Sequence, residues 1–360
     1  MHVSNETFQG KEIQLMKISE KMSIIDLIEV FNKSGAYNAG RLAKGCKIYE
    51  KMLDNNATIG LTLAGALTPA GMGSAISTLI EKGLVDFIIS TGANIYHDLH
   101  FALGLPLYQG YPEVNDEKLL REEISRIYDV FISHNVMKET DKFLRDIYRS
   151  KKIDKPISTA ELHKIIGEAL WEKAKYPERS FLANAVKNDV PVYTPAFGDS
   201  SIGLNLAEVS LRDKSILIDP NLDVIETTAI VFNSEKNGAI ILGGGAPKNF
   251  YLQTQPMLSQ ILGRTLKGHD YFIQITTDVP QYGGLSGATP YEAVSWGKVD
   301  PASLENCVVI HADVTIAAPI LFAYIISTKR EREKRRLYLK REEFIMNLKK
   351  YFRSEERRVG

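Results

Sequence analysis

Residues 238–248 read GAIILGGGAPK, and this stretch decides the fold. Gly238–Leu242 is a short, continuous apolar run, the pattern of a parallel strand buried on both faces. Gly243, Gly244 and Gly245 follow with no spacer, so backbone there can turn sharply and approach a ligand. Ala246, Pro247 and Lys248 then open a helix, with proline near the first position, where its missing N–H costs nothing. Strand, glycine turn and helix start together form a corner suited to a phosphate or cofactor. The stretch departs from GxGxxG because Lys248 stands in place of the third glycine, and no acid lies at the ribose-binding distance. An ordinary structural turn is the competing reading of the same residues.

The same grammar repeats on both sides. Ala57–Leu63 (ATIGLTL) reads as a strand; AGALTPAGMG follows, with Thr68 and Pro69 placed to start a helix over Ser74–Lys82. Val85–Ser90 (VDFIIS) is another buried strand, and Thr91, Gly92, Ala93 and Asn94 form a small-residue loop at its carboxyl end. Val190–Thr194 (VPVYT) leads into PAFGDSSIG, where Asp199, Ser200 and Ser201 present oxygens. Asp270–Thr276 and Cys307–Asp313 complete the strands. Helices are expected over Ser23–Lys44, continuing through Gly45–Asn56, and over Glu117–Ile127, Lys138–Tyr148, Ser158–Lys175, Ser180–Asn188, Asp223–Ser234 and Thr315–Ser327. Strand, turn and helix in this alternation predict an α/β fold: a doubly wound, mostly parallel sheet with helices on both faces. No repeat of fixed period and no flexible linker interrupts it, so residues 1–328 read as one domain after an irregular arm at 1–20.

From residue 329 to 360 the composition changes, with 13 basic and 6 acidic residues. A rough apolar stripe makes this a terminal helix that packs on the body or on a neighbouring subunit; a polyanion-binding tail is the sharper alternative. The last eight residues, RSEERRVG, read as an appended tail without function.

Composition bounds the partners. Lys+Arg and Asp+Glu balance at 44 each in 360 residues, so charge gives no case for nucleic acid or membrane. No apolar run reaches the ~18 residues of a membrane span, and the first residues lack the pattern of a signal peptide. Cys46 and Cys307 are too few and too far apart for a disulfide framework or zinc cluster, which fits a reducing cytoplasm. The seven histidines contain no HExxH; His97 and His100, the only close pair, read as loop or substrate-facing residues, and no metal is predicted.

The chemistry concentrates in Gly283–Asp300, GGLSGATPYEAVSWGKVD. Glu292 and Trp296 are four apart and share a helix face. Lys298 can fold back toward them across Gly297. A carboxylate, an indole and a desolvated amine can hold a cationic amine and react with it. The plainer reading is a helix end, with Trp296 in the core and Lys298 complementing the dipole.

These motifs resemble the deoxyhypusine synthase family. GAIILGGG, SGATPYEAVSWGKV and HADVTIAAP match its patterns in order; with TLAGALTPAG, STGAN and PAFGDSSIG, the resemblance covers roughly Ala57 to Ser327. GANIYHDLH, GGGAPKNF, GHDYFIQIT and GGLSGATP are similar to the deoxyhypusine synthase-like branch found mainly in bacteria. The resemblance implies a Rossmann-like fold, an enzyme, and a homotetramer with sites between paired subunits. It implies NAD as cofactor, held by Gly65, Thr91, Gly92, Asp199, Gly243, Gly244, Gly245, Thr277, Ser286 and Asp313. It implies a reaction in which NAD oxidises spermidine to an imine, Lys298 takes the aminobutyl group as a Schiff base, and an acceptor amine displaces it. Lys298, Glu292 and Trp296 are then the catalytic residues. Asn249, Leu204 and Leu285 stand where eukaryotic members carry a histidine and two acids for the substrate, beside Glu292 and Trp296. Tyr96 and His97 replace a glutamate pair, and Tyr282 replaces an acid facing the cofactor. With those acids gone, the expected product is a small polyamine of homospermidine type, made with an acceptor such as putrescine. Modification of a lysine on a translation factor is the close alternative, and a non-catalytic NAD- or polyamine-binding protein a second one. Asp98, His97, His100 and Asp278 are the residues that could restore the missing polarity.

Overall fold

In the computed structural model, residues 11–212, 216–264, 268–330 and 332–359 are described, the side chains from 355 onward excepted. Nine strands occur among them: β1 (Thr58–Leu63), β2 (Phe87–Ser90), β3 (Tyr108–Gln109), β4 (Ile124–Ile127), β5 (Val130–Ser133), β6 (Val192–Tyr193), β7 (Asn237–Leu242), β8 (Tyr271–Thr276) and β9 (Cys307–His311). The helices of the first half are α1 (Ile24–Ser34), α2 (Tyr37–Asp54), α3 (Gly73–Glu81), α4 (Gly92–Leu103), α5 (Asp116–Arg121), α6 (His134–Ser150) and α7 (Thr159–Lys173). Those of the second half are α8 (Phe181–Lys187), α9 (Ser201–Ser210), α10 (Pro220–Phe232), α11 (Gly245–Leu252), the short α12 (Thr254–Pro256), α13 (Pro290–Ser295), α14 (Val314–Ser327) and α15 (Leu337–Val359).

Six strands form one sheet in the order β6-β2-β1-β7-β8-β9. Every neighbouring pair is parallel. The chain therefore steps outward from β1 to one edge, then restarts at β7 and steps to the other, as the alternation of strand and helix predicted. Leu63 pairs with Leu242 across the switch point, the place where open parallel sheets hold ligands beyond the carboxyl ends of their strands. Side chains alternate across the sheet. Ile240 and Leu242 join the core built with α1, α2, α3 and α14. Ala239 and Ile241 join the core built with α10, α11 and α15. Both faces are covered, which is why the strands read as unbroken apolar runs.

Two sequence expectations are corrected. The helix expected to run through Ser23–Lys44 is two helices, because Gly35 adopts a left-handed φ of 65° and caps α1. Gly40 packs against that turn so closely that a Cβ would meet the Gly35 backbone at 2.5 Å. The helix expected over Glu117–Ile127 stops at Arg121. Ile124–Ile127 is instead one arm of a hairpin with β5, and β3 adds a third antiparallel strand. Neither ISRI nor VFIS alternates cleanly; their residue-by-residue pairing, from Ile124 with Ser133 to Ile127 with Val130, outweighs the helical tendency of the charged run before them.

The basic C-terminal segment is tied to the body. Arg332 inserts its guanidinium at the amino ends of the strands and meets Asp86 at 2.6 Å. Leu337 and Leu348 enter the second core. Arg341 pairs with Glu161 at 2.9 Å and Glu226 at 3.3 Å. Residues 1–10 of the N-terminal arm, and the side chains of most of RSEERRVG, lie outside the described residues. Among the described residues no helix is long and apolar enough to cross a membrane.

Candidate active site

The site begins with the caps of a six-residue helix, α13. Thr289 accepts a hydrogen bond from the Glu292 N–H at 3.2 Å, and Pro290 occupies the first turn. At the other end Gly297 sits at φ 65°, a conformation that strains any residue with a Cβ. Its N–H donates to Val294 O at 2.9 Å, and the Lys298 N–H donates to Ala293 O at 2.9 Å. This is a Schellman turn, and it reverses the chain over the end of the helix. The Lys298 amine consequently lies 5.6 Å from the centre of the Trp296 ring. Trp296 itself is not a core residue; it is 65% exposed, which corrects the helix-end reading. Past the turn, the His269 N–H donates to Lys298 O at 2.9 Å and fixes the segment beside β8.

A second lysine lies beneath the first. Lys248, directly after the glycine turn, is buried and donates to Gln274 Oε1 at 3.0 Å, Ala288 O at 2.7 Å and Ser286 O at 3.3 Å. Gln274 in β8 also donates to Gly243 O at 2.8 Å and Ser286 O at 2.7 Å. The Gly245 N–H donates to Ser286 Oγ at 2.9 Å. A Cβ on Gly244 would meet Ser286 Cα at 2.5 Å, so the glycine there is required by the loop leading to α13. The glycine turn and the loop leading to α13 are thus one hydrogen-bonded unit. The sequence reading missed Lys248 and Gln274. Their signal was present: polar residues placed on a buried strand and at the start of a packed helix must find one another.

Lys298, Asn249, Glu292, Trp296, Leu285 and Gln253 are among the residues around a cleft of about 330 Å³. The Lys298 amine donates to Asn249 Oδ1 at 2.9 Å. Burial pushes its pKa below the usual lysine value, and the Glu292 carboxylate opposes that shift. Burial pushes Lys248 down to about 8, with the charge on Lys298 acting in the same direction and Glu292 against it. A larger cavity of about 540 Å³ lies beside β9, lined by Arg41, Lys44 and His311, and it holds none of the residues picked out from the sequence.

The ten residues assigned to a cofactor all follow the carboxyl ends of strands. Gly65 follows β1, Thr91 and Gly92 follow β2, Asp199 follows β6, Gly243 to Gly245 follow β7, Thr277 and Ser286 follow β8, and Asp313 follows β9. Some are in contact. Thr91 Oγ1 donates to Gly65 O at 2.6 Å, and Asn94 Oδ1 accepts from the Leu67 N–H at 2.6 Å. A Cβ on Gly92 would strike the Ser200 side chain. Asp199 and Asp313 stand toward opposite edges of the sheet, and Asp313 caps α14 by accepting from the Thr315 N–H at 2.8 Å. Leu204 lies on α9, 64% exposed, and does not line the Lys298 cleft.

Two of the compensating residues are ruled out by packing. Asp98 is fully buried and accepts from the Phe181 and Leu182 N–H groups, both at 3.1 Å, at the start of α8. His97 and His100 lie within α4, not in a loop, and His100 is buried against Thr140 at 2.7 Å.

The family model for deoxyhypusine synthase matches residues 26–325. A deoxyhypusine synthase-like protein from Nostoc punctiforme is 44% identical over 350 residues, spanning 95% of this chain and 89% of that one. A protein of the same description from a Cyanothece species is 45% identical over 349 residues, spanning 93% and 87%. Among solved structures, a candidate deoxyhypusine synthase from Entamoeba histolytica aligns with a TM-score of 0.57 over 88% of this chain and 97% of that one. Its sequence identity is 15%, so it speaks for the fold alone.

Proposed function

The chain belongs to the deoxyhypusine synthase family, and on that premise we propose that it transfers the aminobutyl group of spermidine, or a related polyamine, through an imine on Lys298 to a small acceptor amine. The observation that carries this reading is the Lys298 amine, half-buried, bonded to Asn249 at 2.9 Å, 5.6 Å from the Trp296 ring centre and sharing one cleft with Glu292.

NAD is the cofactor this reading requires. The carboxyl edge fits a dinucleotide: backbone at Gly65 borders open space, with nothing within 4 Å of a notional Cβ. Gly65 and Thr91 would hold it at the switch point, with Asp199 and Asp313 as acceptors for its hydroxyls. When bound, NAD would accept a hydride from the carbon beside the amine nitrogen and return it to the imine formed with the acceptor, so the product is a saturated amine and the transfer has no net redox change. The chain's own residues do the rest. Glu292 attracts the incoming ammonium, and Trp296 offers it a ring face. The neutral Lys298 amine adds to the imine carbon and the propane-1,3-diamine portion leaves with its own nitrogen. The four-carbon unit stays on Lys298 as a Schiff base until an acceptor amine takes the same carbon and frees the lysine. The lowering of the Lys298 pKa by burial raises the share of neutral amine available for this addition.

Leu285 at the cleft supports a small acceptor, since it replaces a carboxylate suited to a longer polycation. We also propose that the chain works in the cytoplasm as a homotetramer. Tyr291, Trp296 and Leu285, exposed to 74%, 65% and 50%, form the surface that a second copy would cover; sedimentation at micromolar concentration tests this. The central test incubates the protein with NAD, spermidine and either putrescine or a translation-factor precursor, followed by mass analysis. Homospermidine is the expected product. Product on the factor alone overturns the small-amine reading. Absence of any product, together with no borohydride-trapped adduct at Lys298, overturns the enzyme.

A further inference from the structure

We infer that Asn249 is a positioning residue for the nucleophile: it aims the Lys298 amine and leaves the lone pair free, where the resemblance assigned it to substrate. The inference rests on the transferase reading of the same cleft. An ammonium or amine nitrogen can only donate to an amide oxygen, so the 2.9 Å contact fixes Oδ1 toward Lys298. A neutral amine has two N–H bonds and one lone pair. Spending one N–H on Asn249 leaves the lone pair and the second N–H in the positions away from Asn249. A carboxylate in the same place would pair with the ammonium and keep it protonated. A neutral acceptor directs the amine without that penalty.

Both halves of the contact are held rigidly. Asn249 follows Lys248, whose three hydrogen bonds to Gln274, Ser286 and Ala288 anchor the start of α11. Lys298 is set by the turn at Gly297 and by the His269 N–H. The charged groups around the amine are Glu292 from α13, Lys248 from α11 and Asp278 from the loop after β8, which acts on Lys248. The His269 imidazole, just before β8, is buried against Asn237 and neutral. Glu292 alone therefore favours the protonated lysine directly, and Asn249 adds direction without net charge.

The test reads Lys298 without turnover. Trinitrobenzenesulfonate labelling of Lys298 is followed against pH by peptide mass, in wild type, Asn249→Ala and Asn249→Asp, each checked by circular dichroism. For Asn249→Asp the labelling midpoint should rise by one unit or more, a tenfold or greater loss of labelling at a fixed lower pH. The acid limb of kcat should move with it while the amine KM changes less than twofold. For Asn249→Ala, which serves if the Asp variant does not fold, kcat should fall ten- to a hundredfold at near-constant KM. A labelling midpoint unmoved in Asn249→Asp, or a KM effect without a kcat effect in Asn249→Ala, overturns the inference. If the wild type makes no product but labelling shifts as stated, the transferase reading fails and the positioning contact stands.

Discussion

At the amino ends of the strands Arg332 donates to Gly83 O, to Ala57 O and to Asp86, at 2.9, 2.7 and 2.6 Å. At the carboxyl ends Lys248 is buried more deeply, yet its three acceptors are an amide and two backbone carbonyls, all neutral. The two edges of one sheet thus treat buried cations oppositely. Arg332 is neutralised where it lies, and the ion pair ties the C-terminal segment to the body. Lys248 and Lys298 are left short of negative charge, so burial lowers both pKa values. A paired charge fastens structure; an under-compensated amine is available for chemistry.

Four measurements bear on this contrast. The largest effect belongs to Lys298→Ala, which should lower turnover by on the order of 10⁴-fold with the melting temperature unchanged; substantial residual turnover would put the chemistry elsewhere. Arg332→Ala should lose about 3 kcal/mol in denaturant unfolding, the cost of leaving buried Asp86 with only the more distant Arg335, at 3.6 Å, as its cation, with turnover per folded molecule intact. A loss under 1 kcal/mol would mean that the amino edge is not fastened by that pair. Glu292→Gln comes third. Glu292 holds the Lys298 pKa up against burial, so its removal should move the acid limb of the pH–rate profile to lower pH. The amine KM should rise about tenfold at the same time, ~1.4 kcal/mol of lost attraction; a limb that moves upward contradicts the assignment. Ser286→Ala, which removes the acceptor for the Gly245 N–H, should cost about 1 kcal/mol of stability.

The elements that the sequence predicted well are those whose signal is local. GAIILGGGAPK states strand, turn and helix in eleven consecutive residues, and the structure has all three. Thr289–Lys298 contains both helix caps, so the return of Lys298 toward Trp296 followed from Gly297 alone. The hairpin at Ile124–Ser133 was hidden because its partner strand, not its own composition, stabilises it. Arg332 and Arg341 were hidden inside a charge run, which reads as solvated until a matching buried acid is found over a hundred positions away.

What the chain order alone determined was the doubly wound sheet, the glycine corner after β7 and the grouping of Glu292, Trp296 and Lys298, because each depends on residues within a few positions of one another. Only the tertiary structure decided that Lys248 lies under Lys298, that Asn249 grips its amine, and that Asp98 and His100 are spent on packing. Those outcomes depend on which distant groups share a desolvated space, and burial is set by the assembled layers, not by any one segment.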